Sequence, residues 1–84
     1  MAVTIRLMRF GKPKTPFYRI VVLDKRKKRD GAYIEKIGQY DPLKEPREMI
    51  LSKARFEYWK SVGAQLSEGM AKLLKDMKKV TFRD

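Results

Sequence analysis

The chain is 84 residues long, carries 21 Lys or Arg against 10 Asp or Glu, and is 43% hydrophobic, giving a formal net charge of +11. That length allows one small domain, residues 1–84, with a modest core. Cysteine and histidine are both absent, which excludes a disulfide framework, thiolate or imidazole metal sites, and cysteine or histidine catalysis.

The charge is uneven. Residues 1–29 hold ten Lys or Arg against the single Asp24, a balance of +9, whereas residues 30–84 hold eleven against nine acidic residues, a balance of +2. A solubilising charge would be spread more evenly. Concentration in one third of a small chain is the electrostatic footprint of a nucleic-acid binder. No run approaches 18 apolar residues, and Arg6 and Arg9 interrupt the N-terminus. Neither a membrane span nor a secretory signal is therefore predicted, and a cytoplasmic setting without a membrane partner is expected.

In chain order, Val3-Thr4-Ile5-Arg6-Leu7 alternates apolar and polar residues, the period-2 signature of a half-buried strand. Val3, Ile5 and Leu7 are predicted to face the core, with Arg6 and Met8 outward. Phe10 to Pro16 contains Gly11, Pro13 and Pro16 and reads as a loop stiffened by its prolines and carrying Lys12 and Lys14. Phe17 to Asp24 reads as a central strand, apolar on both faces. Arg19 interrupts it and is expected to emerge at an edge or to pair with a carboxylate such as Glu35.

Lys25 to Arg29 is an unbroken basic run closed by the turn pair Asp30-Gly31. Tyr33 to Tyr40 reads as a third strand. Ile34 and Ile37 fall on opposite faces of an ideal strand, so a bulge or Gly38 must reconcile them. Glu48 to Leu51 is a short fourth strand. Ser52 is placed to cap a helix running to about Val62, with Ala54, Tyr58, Val62 and part of Phe56 or Trp59 inward and Gly63 at its C-terminal end. Ser67 caps a second helix whose Met70, Leu73, Leu74 and Met77 form an apolar stripe. Lys72, Lys75, Lys78 and Lys79 make its wet face, and residues 80–84 read as a loose tail. The fold class expected is α+β: a small, mainly antiparallel or mixed β-sheet of about four strands, with two C-terminal helices packed on one side.

Val3 to Lys12, Pro16 to Val22, Arg29-Asp30-Gly31, Ile34-Glu35 and Gly38 to Pro42 form ordered blocks, extended by Tyr58-Trp59 and Gly63-Ala64-Gln65. These blocks, over nearly the whole chain, resemble the family of the sixteenth protein of the bacterial and organellar small ribosomal subunit. The resemblance implies a non-enzymatic protein that binds small-subunit ribosomal RNA, helps its 5′ region fold during assembly, and carries helices packed on a sheet. Met8 stands where the family usually has a small residue, Lys25 where serine is common, and Ala32 where a basic residue is frequent.

Read from charge, the expected RNA contacts are Arg6, Arg9, Lys12, Lys14, Lys25, Arg26, Lys28 and Arg29, mostly to phosphate. Arg19 and Tyr18 complete the candidate site, Tyr18 through stacking or its hydroxyl, although core packing suits Tyr18, Tyr33 and Tyr40 better. No cofactor and no metal are expected, and the free protein is expected to be a monomer that meets neighbouring small-subunit proteins on the ribosome. Two alternatives remain at this point. One is a coating protein that binds RNA or DNA without preference. The other is a metal-dependent nuclease using two of Asp24, Asp30, Glu35 and Asp41, for which no acidic motif is present and Asp30 better serves the turn.

Overall fold

The computed structural model describes residues 3–24, 33–44, 47–76 and 80–83. Its elements run β1 (Val3–Lys12), β2 (Thr15–Asp24), β3 (Glu35–Asp41), β4 (Glu48–Ser52), α1 (Lys53–Ser61), β5 (Gln65–Leu66), α2 (Glu68–Asp76) and β6 (Thr81–Arg83). The strands form one sheet in the order β5-β1-β2-β3-β4-β6. Consecutive strands β1 to β4 pair antiparallel, as short connections require, whereas β5 lies parallel to β1 and β6 parallel to β4. The architecture is the expected α+β, with a mixed sheet.

Six strands replace the expected four. The two additions hold only two and three residues, too short to show a period, and sit at the sheet edges. One of them takes up the C-terminal stretch read as a loose tail: Ile50, Leu51 and Ser52 pair with Thr81, Phe82 and Arg83. The ring of Phe82 also lies 6.2 Å from that of Phe56 on α1.

A second correction lies at the first connection. Residues 10–16 do not form a loop, because β1 continues to Lys12 and turns through Pro13-Lys14 into β2 at Thr15. Gly11 makes this possible. Its φ is +91°, and a Cβ there would sit 2.6 Å from the Thr15 carbonyl oxygen, so only glycine fits. Pro16 is tolerated because β3 reaches only as far as Tyr18, leaving this stretch of β2 paired on one side.

The bulge in β3 forms as expected. Ile20 pairs with Gly38 but Val21 with Lys36, which leaves Ile37 as the extra residue. Ile37 is thereby buried while Ile34 stays exposed. One face of the sheet carries the core: Val3, Ile5, Ile20, Val22, Tyr40, Met49 and Leu51 close against Trp59, Ala64 and Met70 from the helical half. Fully burying each aliphatic side chain contributes about 1.5–3 kcal/mol.

The helix ends follow the sequence. The Ser52 hydroxyl accepts from Arg55 N at 3.4 Å, and Ser67 from Met70 N at 3.1 Å. Gly63 has φ +95°, the left-handed conformation that ends α1. The inward face of α1 differs from expectation. Ala54, Tyr58 and Val62 are exposed, and Phe56 and Trp59 turn inward. Nine residues lying against a sheet edge need only two inward side chains three apart to dock. In α2, Met70 is fully buried and Leu73 and Leu74 are half-buried against the core, as the apolar stripe predicts. Met77 lies outside the described residues.

Candidate nucleic-acid interface

The sheet has a second face that neither helix covers, and the β1–β2 register distributes the basic cluster between the two. Residues opposite one another on neighbouring strands share a face. One cross-strand row reads Arg6, Val21, Lys36, and the next reads Met8, Arg19, Gln39, Ile50, Thr81. Phe10, opposite Phe17, continues the same face toward the hairpin end. Arg6 and Lys36 are exposed, and Phe10, Arg19 and Gln39 half-buried. At a strand spacing of about 4.8 Å, Arg6 and Lys36 stand about 10 Å apart on the two sides of Val21.

Arg19 takes neither of its two expected positions. It does not pair with Glu35. Its guanidinium carbon lies 4.2 Å from the Phe10 ring centroid, and its Nη1 donates to the Tyr33 hydroxyl at 3.4 Å. Stacking on an aromatic keeps the charge in contact with water while covering its apolar surface. Glu35 points to the helical side instead. It accepts from Arg55 Nε and Nη2, each at 2.7 Å, and from Trp59 Nε1 at 3.1 Å.

The Arg55 hydrogen bond in that cluster holds the Glu35 carboxyl below its ordinary value of 4.5, against a smaller opposing push from desolvation and with further help from Trp59. A depressed folded value means the contribution is complete above pH 4.5 and is lost as pH falls through the lowered folded value. The Glu35→Gln variant is expected to be less stable than wild type by about 1 kcal/mol at neutral pH, discounted for the part-exposed pair. The gap should stay constant above about pH 5.5 and shrink below 4.5. Urea melts of both proteins at pH 7 and pH 3.5 check this; an equal gap at both would place the stabilisation elsewhere.

Arg9 and Tyr18, which are partners across β1 and β2, fall on the helix-bearing face near its hairpin end. Arg9 is exposed and its Nη2 donates to the Pro13 carbonyl at 3.2 Å, bracing the turn. Lys14 is exposed in that turn, and Lys12 pairs with Thr15 to close it. Tyr18 packs toward the core, its ring 5.9 Å from that of Tyr40, at one wall of an open apolar groove of about 490 Å³. Lys25, Arg26, Lys28 and Arg29 lie outside the described residues.

The structure thus brings Arg6 and Arg19 onto the helix-free face, around the fully buried Val21, and gathers Arg9, Lys12 and Lys14 at the hairpin end. It adds Phe10, Lys36 and Gln39, which charge counting along the chain did not single out. Lys36 is an isolated cation within β3, outside both basic clusters of the sequence. Phe10 was hidden by the reading of residues 10–16 as a loop.

Comparison with known proteins gives the family of the chain. Residues 9–67 match the family model for ribosomal protein S16. The small ribosomal subunit protein bS16 of Helicobacter pylori strain HPAG1 is 58% identical over 69 residues, spanning 82% of this chain and 91% of the relative. That of Helicobacter hepaticus is 58% identical over 73 residues, spanning 87% and 95%. That of Pseudarthrobacter chlorophenolicus is 57% identical over 75 residues, spanning 89% of this chain and 55% of the relative. With identity at this level across most of its length, and with the family model covering the turn end of β1 through β5, the chain belongs to the ribosomal protein S16 family.

Proposed function

We propose that this protein is a structural constituent of the small ribosomal subunit that binds its ribosomal RNA, in the 5′ region, and supports subunit assembly. Its partners are that RNA and neighbouring small-subunit proteins, its place is the ribosome in the cytoplasm, and it is a monomer when free. The role is architectural and not catalytic. Among the described residues no helix is long and apolar enough to cross a membrane.

The observation that carries this reading is the exposure of Arg6, Arg9 and Lys14 on one rigid hairpin, in the third of the chain that holds a balance of +9. Phosphate contacts by these cations release condensed counterions, and Arg adds bidentate geometry. A-form RNA hides its base edges in a deep groove, so shape and backbone dominate recognition. A hairpin turning through Pro13-Lys14, with Pro16 early in β2 and the Arg9–Pro13 hydrogen bond across the turn, loses little further entropy when its cations are fixed on phosphate.

A filter-binding salt titration tests the proposal, using folded small-subunit ribosomal RNA beside an unrelated folded RNA of equal length. Binding to the first is expected to survive at salt concentrations that strip the second. Equal affinities with parallel salt slopes would identify a non-specific coating protein instead.

A further inference from the structure

We propose that the helix-free face of the sheet is a stacking platform for unpaired nucleotides of RNA, with Arg19, backed by the Phe10 ring, receiving a base and Arg6 and Lys36 the flanking phosphates. This rests on the ribosomal-RNA reading above and specifies which form of RNA this face takes.

Charge selects a polyanion. The two cross-strand rows Arg6-Val21-Lys36 and Met8-Arg19-Gln39-Ile50-Thr81 contain three cations and no carboxylate. On the opposite face, by contrast, Glu35 is already neutralised by Arg55. The described contacts of Arg6 and Lys36 include no ion pair to an acidic neighbour.

Chemistry selects the unpaired form. Arg19 lies over the Phe10 ring at 4.2 Å and is steadied by the Tyr33 hydroxyl at 3.4 Å, so a guanidinium and a π surface are fixed together before any ligand arrives. Every base offers a π face to such a surface, and Arg also stacks on bases. A duplex turns its base faces inward and presents phosphate and ribose, which would leave the Phe10 side of this face without a complementary partner. Gln39, next to Arg19 across the strand pair, adds a donor and an acceptor that can read a base edge. Phe17 opposite Phe10 widens the apolar area. An acidic peptide of Asp and Glu would satisfy the three cations but offers no aromatic π face to the Phe10–Arg19 pair.

The test uses the full-length chain and fluorescence anisotropy with a ten-nucleotide single-stranded RNA, the same sequence as a blunt duplex, and polyglutamate of equal charge. Single-stranded RNA is expected to bind most tightly. The Phe10→Leu variant, which keeps an apolar side chain and removes the ring, should lose about tenfold in single-strand affinity. Its log–log salt slope should be unchanged, because no charge is removed. In complexes with folded small-subunit RNA carrying 4-thiouridine, photocrosslinks should map to the peptide containing Phe10, a readout that needs no variant. Tighter binding to the duplex or to polyglutamate would overturn the platform, and so would a folded Phe10→Leu protein with wild-type affinity or crosslinks confined to other peptides. In each of those cases selective binding to small-subunit RNA would persist, so the broader reading would stand. Loss of that selectivity in the wild type would remove both.

Discussion

The Gly38→Ala variant is expected to lose at least about 3 kcal/mol of stability, with its melting temperature lowered by at least about 12 °C. Gly38 lies in β3 between Ile20 of β2 and Leu51 of β4. A Cβ there would press on the Ile50 carbonyl oxygen and stand 2.8 Å from Leu51 Cδ2 and 3.2 Å from Leu51 Cα. Two of these three atoms are backbone, so no rotamer change relieves the contact. β4 cannot retreat easily, because Met49 and Leu51 are fully buried on its inner face and β6 is paired along its outer edge. Relief therefore requires separating β4 from β3, which also releases β6 and the root of α1. A chain of this length has only about 4–13 kcal/mol in total, so the loss takes a large share of it. Urea and thermal melts check the expectation. A variant within about 1 kcal/mol of wild type would mean that β3 and β4 approach less closely than described.

Gly38 also shows what the sequence made readable and what it did not. The mismatch between Ile34 and Ile37 demanded either a bulge or a flexible glycine, and periodicity alone sufficed to see the conflict. The structure uses both residues in different ways: Ile37 supplies the bulge, and Gly38 permits a close approach between strands. That second role depends on a neighbour twelve or more positions away, information that no local pattern contains. The capping serines, the glycine after α1 and the apolar stripe of α2 were legible for the opposite reason. Each is decided by residues three or four positions apart.

The reading of residues 10–16 failed at a point where two rules of thumb outweighed one exception. Glycine and proline normally punctuate, yet Gly11 adopts φ +91° and carries β1 into a two-residue turn. That error concealed Phe10 as a surface residue of the sheet. The same limit applies to Arg19. The cost of a buried charge predicted an edge position or a carboxylate partner for Arg19, and its actual neighbours, Phe10 and Tyr33, depend on which face each residue occupies. The bulge places Glu35 beside Trp59 and Arg55, and strand alternation places Arg19 beside Phe10. Charge density along the chain located the basic hairpin; only the strand register separates the cations of its helix-free face from those at the turn.

Replacing Arg6, Arg9, Lys12 and Lys14 together by Gln is expected to weaken binding to folded small-subunit RNA by about two to three orders of magnitude near 0.15 M salt. The slope of log affinity against log salt should fall by about three, since each phosphate contact contributes about 0.7–0.9. Stability should change little. Arg6, Arg9 and Lys14 are exposed, and no ion pair between described residues involves them. The Arg9 hydrogen bond to Pro13 is a surface contact, and lowering the net charge from +11 to +7 relieves self-repulsion that opposes folding. The two readouts separate causes. A fall in affinity with an unchanged slope in a folded variant would mean that these residues act through shape and not through phosphate neutralisation. An unchanged slope and affinity would transfer the ionic interface to other cations of the chain. A slope reduced by about one would leave a single phosphate contact in the hairpin. Only a reduction near three assigns the ionic part of recognition to the hairpin cluster as a unit.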